Sequence, residues 1–420
     1  MTRTDTSGNW LKNFKSATNN PVMPKTLVNI ITDDNPIPAY LFIKEKYEPG
    51  DNLMYISANY TVDDLEELAK LFDVPQEHVE QIILGNAVDI KYEEIYKTVR
   101  KHLKDGVDYH VNLAGGTRYM ALAVQQVFEK YHATFYYVQV TNNQIVSTIF
   151  DDSVNDGDDV VHDIRYKMTI AEYLRVHGIT HDIRDSAQAS SSPYNNPQHT
   201  PLRPKEDVQK FFHLFSRNGF SGSDYKTMEL LRQHYRGRKE IEINKVEQNS
   251  TKGKPSVPGL TDFLIHLLFV PEKTGFLLKQ ELDYLTGGWF EEYIYYLLKE
   301  QIKPDDIALG VRIKRGETKH DNELDVVFTK NNKLFVIECK TGVETERLFN
   351  EIVYKACAIK EALLGVSCHS YIFSLKKDKD GSLSRIAKNM GVIFIDKDKL
   401  TTPNKRNQMI SDMTQKILTS

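Results

Sequence analysis

Between residues 25 and 150, short apolar runs alternate with amphipathic stretches of helical period. Such runs predict buried strands, and the amphipathic stretches predict helices. Because strand and helix take turns, we expect an α/β domain over residues 25–155 with a parallel, doubly wound sheet. The predicted strands are 27–31, 53–57 and 109–113, the predicted helices are 37–46, 62–72, 92–103 and 117–130, and a closing hairpin is predicted at 134–140 and 144–150.

The middle of the chain has a different composition. Residues 186–204 and 236–258 are poor in apolar residues, which predicts flexible linkers or surface inserts. Apolar segments at 208–215, 225–234 and 260–269 predict a small helical or mixed connector over residues 156–276. Residues 1–24 are polar and predict a flexible N-terminus.

A second α/β pattern occupies residues 277–420. Its order of helix, three strands, helix and strand predicts a compact domain. The predicted helices are 289–301 and 344–364, and the predicted strands are 307–313, 322–328, 334–340, 370–375 and 392–395.

Size and composition limit the functions that are possible. At 420 residues, two or three domains are expected. The longest apolar run, 263–270, is too short to span a membrane, and the N-terminus lacks the apolar core of a signal peptide. Three cysteines without CxxC spacing favour the reducing cytoplasm. A net charge of −4 provides no global basic field, so any nucleic acid that this chain binds must bind in a local groove.

The strands at 322–328 and 334–340 carry acids and a lysine inside apolar runs, and they flank a polar stretch with turn chemistry. A symmetric two- or four-residue turn places Asp325 opposite Glu338, and Glu323 opposite Lys340. Directly opposed side chains share one face of a sheet, so the two carboxylates require a cation or a shared proton. Period-two alternation puts Lys340 on the same face as Glu338.

Paired carboxylates beside a lysine are what metal-assisted phosphodiester hydrolysis needs. Asp325 and Glu338 are predicted to hold Mg²⁺ or Mn²⁺, with the backbone carbonyl of Cys339 as a third ligand. Lys340 is predicted to orient the attacking water or to stabilise the charge that develops. The alternative is an exposed, salt-bridged strand face, which Leu334, Val336 and Val327 on that face disfavour.

Asp325, the Glu338-Cys339-Lys340 triplet and the glycine-led helix start at 287–291 resemble the PD-(D/E)xK nuclease superfamily in both spacing and element order. The resemblance implies a restriction-endonuclease-like αβββαβ domain. It also implies that Glu291 completes the acidic cluster, with Glu292 as the weaker candidate. The other interpretation of Glu291 is a favourable acid in a helix first turn. One interpretation of Lys355 in the following helix is that it faces the site; a solvated lysine is the simpler one.

A glycine turn, Gly115-Gly116-Thr117-Arg118, joins the strand at 109–113 to the next helix. Glycines let a ligand approach the backbone, the helix start offers N–H groups, and Arg118 adds a cation. Two other predicted strands end at the same edge, which places Thr32, Asn35 and Ser57 there. A capped turn that needs small residues is an equally good interpretation of this motif alone.

The Rossmann-like domain with its Gly-Gly-Thr-Arg turn, the connector and the C-terminal D…ExK domain together resemble the CARF-nuclease effectors of type III CRISPR defence. That resemblance implies a homodimer whose CARF domains bind a cyclic oligoadenylate across a two-fold axis, with cyclic tetra-adenylate as the expected activator. It also implies cleavage of single-stranded DNA or RNA and nicking of duplex. The alternatives are an ungated restriction or repair nuclease, and a non-catalytic ligand sensor.

Overall fold

The structure is a computed structural model, and it describes residues 24–32, 36–58, 70, 72, 74–85, 91–148, 160–182, 203–217, 222–248, 253–314, 322–342, 346–359 and 368–419. The predicted flexible N-terminus, most of the predicted helix at 62–72, the linker at 186–202 and the candidate ligand residue Asn35 lie outside these ranges. Among the described residues, no helix has both the length and the apolar character needed to cross a bilayer.

The N-terminal sheet has seven strands in the order β3-β2-β1-β4-β5-β6-β7. The first five run parallel, and β6 and β7 continue the sheet antiparallel. This confirms the α/β prediction and the closing hairpin, and the sheet gains β3 and β7. The strands are β1 (Thr26–Thr32), β2 (Asn52–Ala58), β3 (Val79–Ile83), β4 (Tyr109–Asn112), β5 (Thr134–Gln139), β6 (Gln144–Thr148) and β7 (Val160–Asp163).

Helices cover both faces of this sheet, which is why β1 is buried along its whole length. Val28 and Ile30 face a core formed with α2 and α3, whereas Leu27 and Ile31 face a core that contains α1. The helices are α1 (Ile37–Lys46), the 3₁₀ turn Gln76–His78, α2 (Tyr92–Arg100) and α3 (Arg118–Glu129).

The connector is mainly helical, and most of it packs on the C-terminal domain. Phe211 and Phe215 share one apolar core with Trp289. Its elements are α4 (Ile170–Val176), β8 (Thr180–Asp182), α5 (Lys205–Arg217), α6 (Ser223–His234), β9 (Glu240–Glu242), α7 (Ile243–Gln248) and α8 (Leu260–His266).

The sequence pattern predicts a flexible insert over 236–258, and the structure corrects this for the residues described there. β9 pairs with β10 (Phe276–Leu278), and Ile241, Val246 and Val257 are buried in the connector core. Apolar residues are too sparse here to give a periodic signal. Each of these three apolar residues is nevertheless buried in a core that is formed with distant parts of the chain.

The C-terminal sheet has six strands in the order β15-β14-β13-β12-β11-β8, so the connector contributes its edge strand. The predicted αβββαβ order is confirmed, with further helices after it. The elements are α9 (Lys279–Asp283), a π-helical turn (Tyr284–Gly288), α10 (Trp289–Gln301), β11 (Asp306–Lys314), β12 (Asn322–Lys330), β13 (Lys333–Lys340), α11 (Glu346–Ile359), β14 (Cys368–Ser374), α12 (Ser382–Asn389), β15 (Val392–Ile395), α13 (Lys397–Thr401) and α14 (Pro403–Thr419).

The tip of the β12–β13 hairpin contacts the N-terminal domain. Asn331 and Asn332 have φ angles of 50° and 59°, as a two-residue type I′ turn requires. The Asn332 side chain donates to Asn143 Oδ1 at 2.7 Å and to the Tyr166 carbonyl at 2.9 Å, and it accepts from the Met168 N–H at 2.8 Å. The two sheets are therefore joined by side-chain hydrogen bonds as well as by a shared apolar core.

Candidate active site and ligand site

The hairpin register follows the prediction. Pairing runs from Lys330↔Lys333 to Val326↔Ile337, so Asp325 and Glu338 are the next residues on the two strands. At that point the Cys339 N–H donates to Asp325 Oδ2 at 2.7 Å. The Asp325 carboxylate is thus held by the backbone of the opposite strand, within reach of the Glu338 side chain.

Lys340 joins the two acids. Its Nζ lies 2.6 Å from Glu338 Oε1 and 3.3 Å from Asp325 Oδ2. The side chains of Glu338, Asp325 and Lys340 are 10%, 13% and 28% exposed, so this is a largely desolvated cluster. The exposed, salt-bridged strand face that the sequence left open does not describe such a site.

Burial and mutual charge shift the ionisation of this cluster. Burial raises the pKa of Asp325 to about 6; the Lys340 ammonium opposes this shift and the Glu338 carboxylate adds to it. For Lys340, burial lowers the pKa, but the charges of Asp325 and Glu338 outweigh it and hold the pKa above its ordinary value. Burial first, and then the neighbouring carboxylates, raise the pKa of the Cys339 thiol well above its usual range, so it remains protonated.

The first turn of α10 distinguishes its two glutamates. The charge of Glu291 helps to raise the pKa of Lys340 and of Cys339, so Glu291 lies beside the cluster. Glu292 is buried elsewhere: Tyr284 Oη donates to it at 2.7 Å, the Arg203 N–H donates at 3.2 Å, and burial raises its pKa to about 7. Neighbouring positions on a helix point about 100° apart, which is why only one of them approaches the hairpin.

Two further groups lie at this site, and one of them is Lys355, for which a solvated side chain was the simpler interpretation. Lys355 Nζ on α11 lies 3.6 Å from Glu338 Oε1. Beyond Lys340, the connector closes over the strand end: Tyr225 Oη donates to the Thr341 carbonyl at 3.1 Å, and a Cβ on Gly342 would lie 2.8 Å from Arg232 Nη2. Gly342 is the only local signal for this contact, because α6 comes from more than a hundred residues earlier in the chain.

The donor set fits a hard divalent cation. Asp325 and Glu338 present carboxylate oxygens that already share one cation, the Lys340 ammonium. The N–H and C=O of one strand residue point to the same neighbouring strand, so the Cys339 carbonyl lies on the same side as its N–H, which binds Asp325. Within the described ranges, no group of three or more His, Cys, Asp or Glu side chains is arranged to hold a metal ion.

The candidate ligand residues gather at one edge of the N-terminal sheet. β1, β2 and β4 run parallel, so Thr32, Ser57 and the glycine turn lie at their carboxyl ends. In the order 3-2-1-4-5, successive strands are added on one side of β1 and then on the other, and doubly wound sheets bind ligands where the strand order reverses in this way, here between β1 and β4. Ser57 is fully buried, and its Oγ makes no hydrogen bond within the described part of the chain.

The glycine turn is also shaped by packing. Gly115 has a φ of 109°, and a Cβ on Gly116 would lie 2.3 Å from Ile30 Cγ2. Thr32 binds the Gly115 carbonyl through both its N–H, at 3.2 Å, and its Oγ1, at 2.8 Å. Thr117 caps α3 by accepting from the Met120 N–H at 3.2 Å. The small-residue interpretation is therefore correct for Gly116.

Arg118 is exposed at the first position of α3 and is available to an anion. Beneath the turn, a buried amide that the sequence analysis did not single out supports it. Asn112 accepts from the Ala114 N–H at 3.1 Å and donates to Asn29 Oδ1 at 3.1 Å. The sequence signal that could have identified Asn112 is a polar residue at the end of a predicted buried strand.

Fold and site together define a protein with two α/β domains, a doubly wound sheet in one and a hairpin with a buried acid–lysine cluster in the other. The family model of the Card1 CARF domain matches residues 26–173, and that of the Card1-like endonuclease domain matches residues 279–413. The chain belongs to the family of Card1-like proteins, which combine a CARF domain with an endonuclease domain. No curated protein sequence matches it.

Solved structures agree with this fold. Protein VC1899 from Vibrio cholerae is 17% identical, with a TM-score of 0.68 over 94% of this chain and 99% of that one. Can2 from Sulfobacillus thermosulfidooxidans, solved with cyclic tetra-adenylate, is 19% identical, with a TM-score of 0.65 over 92% of this chain and 99% of that one. At these identities the likeness shows the fold, which extends over the connector as well.

Proposed function

We propose that this protein is an endonuclease of type III CRISPR antiviral defence, metal-dependent and activated by a cyclic oligoadenylate. The observation that carries the proposal is the buried Asp325–Glu338–Lys340 cluster, which lies in an endonuclease domain on the same chain as a CARF domain. A binding module has no need for two carboxylates and a lysine in one desolvated cluster, because burying charge is unfavourable.

In this proposal, Asp325, Glu338 and the Cys339 carbonyl hold Mg²⁺ or Mn²⁺. When bound, the metal lowers the pKa of a water molecule and offsets the charge of the scissile phosphate. Lys340 Nζ, released from one carboxylate, hydrogen-bonds the attacking water or the developing oxyanion. Glu291 adds a negative charge that keeps Lys340 protonated.

The activator is proposed to bind at the sheet edge formed by Thr32, Ser57 and the turn from Gly115 to Arg118. Asn35, which lies outside the described residues, is a further proposed contact. The N–H groups in the first turn of α3 and the Arg118 guanidinium suit phosphates. The Ser57 hydroxyl, which has no hydrogen-bond partner among the described residues, is a further proposed contact. Cyclic tetra-adenylate is the proposed ring, since a two-fold symmetric ligand matches a homodimer of CARF domains. The structurally similar Can2 forms a complex with the same ligand.

The hairpin tip supplies a physical connection for activation. Asn332 lies in the turn of the hairpin and Lys333 directly follows it, and the other end of the hairpin carries the candidate catalytic residues. Lys333 Nζ donates to the Thr141 carbonyl at 2.7 Å, and Asn332 binds Asn143, both in the β5–β6 turn. A shift of the CARF sheet is thereby transmitted to the hairpin, and ligand binding favours the cleavage-competent arrangement by its differential affinity.

The proposed substrates are single-stranded DNA or RNA, with nicking of duplex DNA, in the cytoplasm. The test is cleavage of labelled strands with Mg²⁺ or Mn²⁺, with and without cyclic tri-, tetra- and hexa-adenylate. Cleavage that requires the tetramer supports the proposal. Equal cleavage without ligand supports an ungated nuclease, and ligand binding with no cleavage under any condition supports a non-catalytic sensor.

A further inference from the structure

Lys355 is placed over the catalytic strand by the packing of its helix. Phe349 and Val353 of α11 are buried against β14 and β15, and this fixes the rotation of the helix. Ile359, one turn beyond Lys355, is buried in the same core as Val336 of β13. Val336 and Glu338 share a face of β13, so the Lys355 side chain extends towards the carboxylate.

Two ammonium groups approach one oxygen of Glu338, and they are not equivalent. Lys340 Nζ lies at 2.6 Å, contacts both acids and is 28% exposed. Lys355 Nζ lies at 3.6 Å and is 43% exposed. A long contact made by a half-exposed lysine contributes little to stability, so this pair is no strong structural requirement. Lys355 is therefore the cation at the site that can exchange its carboxylate for an incoming anion.

We propose that Lys355 binds a phosphate of the nucleic-acid substrate, beside the phosphodiester that is cut. The proposal rests on the nuclease function above and adds a substrate-contacting residue to it. The flexible ammonium acts as a point charge for a non-bridging oxygen. Because Glu338 keeps its contact with Lys340 when Lys355 leaves, the exchange does not strand a buried carboxylate.

The test is the salt dependence of binding of a single-stranded oligonucleotide to the full chain in EDTA, with and without cyclic tetra-adenylate. Each phosphate contact adds about 0.7 to the slope of log affinity against log salt for single strands. Lys355→Gln should reduce the slope by about one contact and weaken binding several-fold, and Lys355→Arg should restore the slope. Lys97→Gln is the matched control, since Lys97 is an exposed lysine paired with Glu93 in the other domain.

An unchanged slope in Lys355→Gln, or an equal change in Lys97→Gln, would overturn the proposal. The urea midpoint of each variant is measured alongside to identify a folding defect. In Mg²⁺ or Mn²⁺, Lys355→Gln should raise KM more than it lowers kcat. Failure of the wild-type chain to cleave rejects the proposed nuclease function, whereas a normal slope in Lys355→Gln rejects only the role of this lysine.

Discussion

The two ends of the β12–β13 hairpin are both buried, but their polar groups are compensated in different ways. At the tip, Asn332 and Lys333 are 1% and 2% exposed, and their side chains bond to backbone and amide groups of neighbouring elements. At the open end, Asp325 and Glu338 are held beside one another and neutralised mainly by Lys340. At the tip the buried polar groups are hydrogen-bonded, whereas the open end keeps two carboxylates and one ammonium in close contact.

The difference shows which end serves stability and which serves chemistry. Hydrogen-bonded buried amides each contribute favourably, and removing one strands its partners. Two neighbouring carboxylates in a desolvated site cost stability, and burial raises the pKa of Asp325 as a result. The hairpin is therefore anchored by hydrogen bonds at its tip and carries the proposed metal site at its open end.

The largest effect is expected from Asp325→Asn. It removes a carboxylate of the proposed metal site while keeping the shape of the side chain and the hydrogen bond from the Cys339 N–H. Cleavage should fall by at least about a thousand-fold, equivalent to about 4 kcal/mol of transition-state stabilisation, because the water and phosphate lose their metal. Ligand-activated cleavage of single strands measures it, and cyclic tetra-adenylate affinity should be unchanged.

Glu351→Gln is the matched control, since Glu351 is a 59% exposed carboxylate of α11 paired with Arg347. It should retain cleavage. If Asp325→Asn also retained it, the open end of the hairpin would not be the catalytic centre.

The next effect is at the tip. In Asn332→Gly the backbone turn is preserved, because glycine is favoured at this position of a type I′ turn. The variant loses the side-chain bonds to Asn143, Tyr166 and Met168. We expect a loss of about 2–3 kcal/mol in the free energy of unfolding, measured with urea.

Asn331→Gly is the control for the turn. The backbone N–H of Asn331 donates to Asp305 Oδ2, and glycine keeps this hydrogen bond. Its stability should change by less than about 0.5 kcal/mol. Equal losses in the two variants would mean that the tip network contributes nothing.

A smaller effect concerns pH. Asp325 has a pKa of about 6 in the folded protein, above its ordinary value of 3.8, so the folded state holds this proton more tightly than the unfolded state. Its contribution to stability is therefore fully present below about pH 4 and is lost as pH rises through 6. Relative to Asp325→Asn, the wild type should lose about 1–2 kcal/mol between pH 4.5 and 7.5.

Cleavage should rise over the same range, because metal binding needs the carboxylate form of Asp325. Unfolding midpoints of both proteins at several pH values, together with cleavage rates, measure this effect. A difference between wild type and variant that does not vary with pH would exclude the raised pKa.

Local pattern was enough to predict the hairpin. Apolar alternation fixed the faces of β12 and β13, and Asn331-Asn332 is a suitable pair for a tight turn. The predicted bounds of α10, 289–301, and of β15, 392–395, also match the structure, since each is a short segment of regularly spaced apolar residues with a clear boundary at both ends. These features depend on neighbours in sequence.

What the sequence did not predict depends on distant neighbours. Lys355 approaches Glu338 only because α11 crosses back over β13 to reach β14. The burial of Asn332 requires the β5–β6 turn, and that of Ile241 requires the connector core. A polar or isolated apolar residue has no periodicity from which such contacts can be inferred.

The smallest effect is expected from Lys333→Met at the tip. The Lys333 ammonium donates to the Thr141 and Ile417 carbonyls, at 2.7 Å and 2.8 Å, while burial lowers its pKa. Losing these bonds and losing a buried charge oppose one another, so stability at pH 7 should change by less than about 1 kcal/mol.

The pH dependence separates the two contributions. A lysine whose pKa is lowered by folding makes the folded state bind its proton less tightly, so wild-type stability improves as pH rises through that pKa towards 10.5. The stability of the wild type relative to Lys333→Met should therefore increase as pH rises towards 10.5, as measured by urea midpoints. If the difference in stability between the two proteins did not vary with pH, the two carbonyls would solvate the ammonium as well as water does. Burying the charge at the tip would then cost no stability.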